Sequence, residues 1–403
     1  MPATVTAVVG ATVIDGTGAK PRRDATVLLR GRQILALGPR RKVRVPPGAT
    51  IIDGRRLFLL PGFIDAGVHL TRYLGSRDQR RDSVAVDSAR NDALASARTK
   101  AAMRYGVTTV RDSRGMLPAT RAVRESLHHD PGRGARVVMA GPSLGSVQGE
   151  WVGVGRDLIA LDAESLRVRV GRYLDRGIDF LKYSGTVAAY DFAIPDAVND
   201  STAADEVQIA PLMLFSDRAQ RAIVDEAHKR GLRVETRATS PDGLHTAVLA
   251  GVDVVQHPEL MRDQVVLSDA LIQLLVRHRV VCVLFPRVSA AGQDSYRQNA
   301  RRLIANGCRV AVASGGSQPG LETLRAIEGL VTLGMSPMAA LIAATRDGAY
   351  AANLSDEIGT LASGKVADLI MLRADPLQDI RNIEQIALVF REGVQVYAAP
   401  PGD

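Results

Sequence analysis

The chain has 403 residues, 46% apolar and 23% charged, which is enough for one large barrel or two ordinary domains and too apolar for a disordered chain. Its formal charge of +8 suggests a polyanion partner, but only six of the 51 basic residues are lysine and aromatic residues make up 4%. That composition reads as a solvated basic surface with no nucleic-acid partner. No window approaches the roughly 18 apolar residues of a membrane helix, and the opening MPATVTAVVGATVIDG lacks the features of a signal peptide. A cytoplasmic protein with no membrane partner is expected.

Residues 4–58 alternate short β-rich runs with Gly and Pro turns (TAVVGATVID, ATVLLRGRQILALG, ATIIDGRRLFLL), an antiparallel β pattern. Beyond them, short apolar runs alternate with amphipathic stretches. Eight runs read as strands: 63–69, 108–113, 136–141, 179–185, 233–238, 252–257, 280–285 and 309–316. SDRAQRAIVDEAHKRG at 216–231 reads as a helix, with Ser216 as N-cap and Gly231 just past its end. The two cysteines, Cys282 and Cys308, fall inside apolar runs and read as core thiols. Near the C-terminus the β texture returns in GKVADLIMLRAD and ALVFREGVQVY. Eight βα repeats predict an α/β fold, a (β/α)8 TIM barrel over residues 61–357. A small β-sandwich domain from both chain termini, 1–60 plus 358–403, completes the expected organisation.

Several ordered motifs then carry a resemblance. PGFIDAGVH, YGVTTVRD, GPSLGSVQGEW, DFLKY, GVDVVQH and IGTLASGKVADLIML together resemble the amidohydrolase superfamily, near its imidazolonepropionase-like and metal-dependent dipeptidase-like members. The resemblance covers nearly the whole chain. It implies one or two divalent metals, held by H-x-H after the first strand, a carboxylated lysine or a glutamate on the fourth and histidines on the fifth and sixth. An aspartate on the eighth strand is implied as ligand and base. Residues i and i+2 of a strand face the same way, so such a pair meets at the barrel mouth.

Measured against that pattern, His69, Lys182 and His257 remain. Gly67 stands at the other arm of H-x-H, Arg237 at the fifth-strand histidine, Gly315 at the eighth-strand aspartate and Glu150 at a histidine that often follows the third strand. A guanidinium stays charged at working pH and cannot coordinate, so Arg237 is expected to exclude the metal and supply part of its charge. On this reading no cofactor and no metal ligand is expected. The alternative is one zinc-like ion on His69, His257 and carboxylated Lys182.

The expected catalytic residues are Lys182, His257, Arg237 and His69. Lys182 would act as base or Schiff-base nucleophile and His257 as acid or base, with Arg237 stabilising negative charge. Glu150, Trp151, Tyr183, Glu235 and Asp112 are the expected substrate-binding residues. The leading functional expectation is a metal-independent lyase, isomerase, cyclase or atypical hydrolase acting on a small organic substrate, with a homodimer left open. Two others stand beside it: a mononuclear metal-dependent hydrolase of C–N bonds, and an inactive binding or scaffold protein.

Overall fold

The computed structural model describes residues 4–71, 88–145, 162–187, 212–260, 265–286, 294–316 and 318–400. The first five strands are β1 (Val5–Val13), β2 (Arg22–Arg30), β3 (Gln33–Pro39), β4 (Thr50–Asp53) and β5 (Phe58–Pro61). From the other end of the chain come β16 (Leu369–Leu372), β17 (Ile386–Arg391) and β18 (Val394–Ala398). All eight form one sheet in the order β18-β17-β16-β5-β1-β2-β3, with β4 beside β1. The two chain ends meet where β16 runs antiparallel to β5, Leu369 opposite Pro61 and Leu372 opposite Phe58. The β17–β18 turn uses Glu392 and Gly393, both at positive φ, the backbone that a two-residue hairpin with right-handed strand twist needs.

The eight expected barrel strands are all present: β6 (Phe63–Val68), β7 (Val107–Asp112), β8 (Arg136–Met139), β9 (Leu181–Ser184), β12 (Val234–Arg237), β13 (Val254–Gln256), β14 (Val281–Leu284) and β15 (Arg309–Val312). A two-stranded ribbon of β10 (Thr186–Val187) and β11 (Leu212–Met213) follows β9. Parallel pairing links β6 to β8 and β9 to β15. Backbone hydrogen bonds close both gaps: Leu144 N to Lys182 O and Ser184 N to Leu144 O, each 2.9 Å, and Gly315 N to Gly67 O, 3.0 Å. The result is a closed TIM barrel joined to a β domain from the chain termini.

Helices α1 (Ser88–Met103), α2 (Leu117–His129), α3 (Ala163–Leu174), α4 (Asp217–His228), α5 (Pro241–Ala250), α6 (Asp269–Arg277), α7 (Asp294–Ala305) and α8 (Leu321–Thr332) alternate with these strands, and α9 (Pro337–Ala343) and α10 (Arg346–Ala351) follow. Serines start several of them: Ser216, Ser240, Ser268 and Ser336 each accept an N3 backbone N–H, which satisfies a donor the helix cannot. The expected cap at Ser216 is therefore in place, while α4 ends at His228 and Gly231 follows at φ +70°.

Large apolar side chains such as Leu181, Val234, Ile223 and Leu275 pack between strands and helices. Smaller ones fill the barrel interior, among them Ala66, Val254, Val281, Val283, Ala311 and Ala313. Cys282 and Cys308 are free and buried, as expected of core thiols.

Candidate active site at the barrel mouth

Strand pairing sets Lys182 of β9 directly beside Glu235 of β12, and both face inward. The Lys182 ammonium donates to Gln256 Oε1 at 2.5 Å and pairs with Glu235 Oε1 at 3.1 Å. The other Glu235 oxygen accepts from Arg111 Nη1, and both of those side chains have no exposure at all. The Arg111 guanidinium lies over Phe180, 3.4 Å from the ring centre, a favourable cation–π contact. Gln256 completes the chain by donating to Ser113 Oγ at 3.0 Å.

One carboxylate thus serves two buried cations. Burial pulls the Lys182 amine down to about 8, while Glu235 pulls it back up and Arg114 and Arg111 lower it further. Arg111 is pulled down by burial and partly restored by Glu235. Lysine is the member that can give up its proton, since a guanidinium in a protein does not.

His257 lies just past the end of β13, at φ +55°, a conformation uncommon for a side chain of this size. Its ring stacks on Phe285, with centroids 3.9 Å apart and planes 20° apart. Burial holds its pKa below the usual histidine value, against the opposing pull of Glu259, so the neutral imidazole is favoured. His257 Nδ1 is 3.7 Å from Glu259 Oε1.

Arg237 ends β12 in register with Ser184 and Gln256 and is half-buried. His69 follows β6, also half-buried, with its backbone N–H donated to Gly316 O at 3.1 Å. Arg237, His257 and His69 therefore sit at strand C-terminal ends, the face where this architecture carries its chemistry, while Lys182 lies inside β9, two residues before its end.

Among the expected substrate-binding residues, Glu235 is committed to the buried ion cluster. Tyr183 is corrected: it is fully buried among the residues between strands and helices, and its hydroxyl donates to Gln220 Oε1 at 2.7 Å. Strand alternation is the reason, since Lys182 faces in and its neighbour must face out. Asp112 is a latch: its oxygens accept the backbone N–H of Leu70 (3.2 Å) and Arg114 (3.1 Å). Burial raises its pKa to about 6 against those bonds. Glu150 and Trp151 lie outside the described residues.

Sequence reasoning missed Arg111, Gln256, Phe285 and Glu259. Alternation from Val254 could have pointed Gln256 inward, and the arginine in TTVRD is a charge inside a strand run. For Phe285 and Glu259 there was no local signal.

The space opposite the two glycines is filled. A Cβ on Gly67 would stand 3.0 Å from Ala313 Cβ, 3.1 Å from Phe285 Cζ and 3.2 Å from Gln256 Nε2; one on Gly315 would stand 2.6 Å from Phe285 Cδ1. The Phe285 ring thus takes the space in which a second histidine and an aspartate would reach a metal pair. A two-ion centre does not fit these residues, and no group of three or more His, Cys, Asp or Glu forms a metal cage among the described residues. A single ion is another matter, because His257 Nδ1 and both Glu259 oxygens are buried without a hydrogen-bond partner.

Among the described residues no helix is long and apolar enough to cross a membrane. The chain is 26% identical to the imidazolonepropionase of Symbiobacterium thermophilum, over 91% of this chain and 90% of that protein. It is 25% identical to the imidazolonepropionase of Phocaeicola vulgatus over 87% and 85%. Among solved structures, phenylurea hydrolase B superposes with a TM-score of 0.85 at 26% identity, covering 98% of this chain and 97% of that one. Molinate hydrolase superposes with a TM-score of 0.84 at 25% identity, covering 98% and 95%.

These relatives are hydrolytic enzymes by name, and their kinship corrects the expectation of no cofactor: it points to a metal. The family model described as the amidohydrolase family matches residues 58–396. With that match spanning both the barrel and the strands that close the β domain, the chain belongs to the amidohydrolase family.

Proposed function

We propose that this enzyme hydrolyses a C–N bond of a small organic molecule, of the amide, cyclic-amide or urea class. The observation that carries the reading is the grouping of Arg237 and His257 at the strand ends with Lys182 just below them, close enough for both cations to act on the imidazole, in a barrel whose full-length relatives include imidazolonepropionase and phenylurea hydrolase B. The lyase, isomerase or cyclase chemistry expected from the ligand losses finds no support among those relatives and is not retained.

Attack of water on an amide-like carbonyl needs a base for the water proton, positive charge for the developing oxyanion, and an acid for the leaving nitrogen. Neutral His257, kept so by burial, is suited to take the proton. Arg237 supplies the fixed positive charge. Lys182, held near its own transition at about 8, can return a proton to the leaving nitrogen. Were a divalent metal bound, His257 would be one of its holders in place of its role as base, with Glu259 or His69 beside it, and the metal would polarise the carbonyl and acidify a water.

The test is a hydrolysis panel of imidazolonepropionate, phenylureas, molinate-type thiocarbamates and Xaa-Pro dipeptides, run with and without added zinc or manganese. Product formation should fall about 100-fold or more in His257→Asn and Lys182→Met. No turnover of any member under either condition would leave the binding or scaffold reading in its place.

A further inference from the structure

The family resemblance places a carboxylated lysine or a glutamate on the fourth barrel strand, and Lys182 stands there. Its surroundings decide whether it carries CO2. Carboxylation joins the free amine nitrogen to the carbon of CO2 and releases one proton. A group that is otherwise an ammonium with three N–H donors becomes an anion whose nitrogen keeps one. In a buried site the new oxygens then need cations or N–H donors around them.

Lys182 meets the reverse. Its side chain is 6% exposed, it donates to Gln256 Oε1 at 2.5 Å, and Glu235 Oε1 stands 3.1 Å away. Both neighbours present oxygen to it, and one of them is a carboxylate. Neither is free to turn away. Gln256 Nε2 donates to Ser113 Oγ at 3.0 Å, which keeps the amide oxygen towards the lysine. The second Glu235 oxygen accepts from Arg111, whose guanidinium lies over the Phe180 ring. Parallel pairing of β9 with β12 sets Lys182 and Glu235 side by side in register. With an ammonium, the buried trio of Arg111, Glu235 and Lys182 has one anion between two cations. With a carbamate it would have two anions in contact and one cation, which a low-dielectric interior strongly disfavours.

We infer that Lys182 stays an uncarboxylated amine, with Glu235 on the neighbouring strand excluding CO2 by its charge and its position. The single-ion site expected as the alternative, on His69, His257 and carboxylated Lys182, therefore loses its lysine. The inference deepens the hydrolase reading and rests on it in one respect: only an uncarboxylated amine can return a proton to the leaving nitrogen. Its test reads the lysine itself and needs no substrate.

The full-length chain is produced with isotopically labelled lysine ε-carbons and followed by nuclear magnetic resonance. Six lysines give six signals, and the Lys182 signal is the one missing from Lys182→Arg. Labelled bicarbonate is added in excess at mildly alkaline pH, with and without zinc or manganese chloride. Wild type should show an unmoved Lys182 signal and no carbamate carbonyl under every condition. Glu235→Gln should show both a shifted Lys182 signal and a carbamate carbonyl, because without Glu235 the carbamate supplies the anion that Arg111 has lost. The inference is overturned if wild type develops a carbamate signal that Lys182→Arg lacks, or if folded Glu235→Gln develops none. Should the glutamine variant fail to fold, the wild-type result decides alone. An uncarboxylated Lys182 in a protein that hydrolyses no member of the panel would instead defeat the functional reading and leave this inference standing.

Discussion

Replacing Glu235 by glutamine is the sharpest perturbation of the barrel interior. Glu235 and Arg111 have no exposure and Lys182 has 6%, so removing the carboxylate they share leaves two buried cations without their common partner. Lys182 can escape by losing its proton, being already near 8. Arg111 cannot, and a buried charge stripped of its partner costs about 3–5 kcal/mol. Glutamine keeps the shape and one acceptor, which places the expected loss near the lower end, about 3 kcal/mol. Denaturant unfolding at pH 7, followed by circular dichroism, reads that loss directly. Two companion results follow from the same cause. The Lys182 amine should become more acidic than in wild type, because Glu235 is what raises it, and the pH dependence of its acetylation, read by peptide mass spectrometry, reports this. The paired change Arg111→Met with Glu235→Leu should recover most of the stability, since both charges then vanish together. A loss below about 1 kcal/mol for Glu235→Gln would mean that the three groups are not coupled as an ion cluster.

Lys182 also sets a pH signature. Its folded pKa of about 8 lies below the ordinary 10.5, so between those values the folded chain holds fewer protons than the unfolded one, and stability rises with pH across that window by up to about 3 kcal/mol. Melting temperatures of wild type and Lys182→Met from about pH 7.5 to about 10.5 should diverge with that sign, and parallel curves would refute it. Phe285 and Gly67 should be coupled: Gly67→Ala is expected to cost about 1–3 kcal/mol in wild type and less in a Phe285→Ala background, where the ring 3.1 Å away is gone while Ala313 Cβ at 3.0 Å remains. A double-mutant cycle measures this, and equal costs in both backgrounds would show that Phe285 does not occupy that space.

The architecture was legible in the chain because its signals are local. Apolar runs of strand length, amphipathic spacers between them and turn residues at fixed places mark eight strands and the cap at Ser216, and the returning β texture announces that both ends build one sheet. Arg237 and His257 could be placed at strand ends, and Lys182 on its strand, for the same reason. Their partners could not be read. Arg111 and Glu235 are 124 residues apart, Lys182 and Gln256 are 74 apart, and they meet only once the barrel closes. Which way a strand-end residue points depends on events that leave no local mark: the register shift in β6 between Asp65 and Val68, and the positive φ that turns His257 out of β13. Nor does any pattern in the chain say that an aromatic ring from the seventh strand would fill the space left by two glycines on the first and eighth, or that a carboxylate two residues past a histidine would be buried beside it. Those are outcomes of packing, decided by volume and by the need of buried charge for a partner.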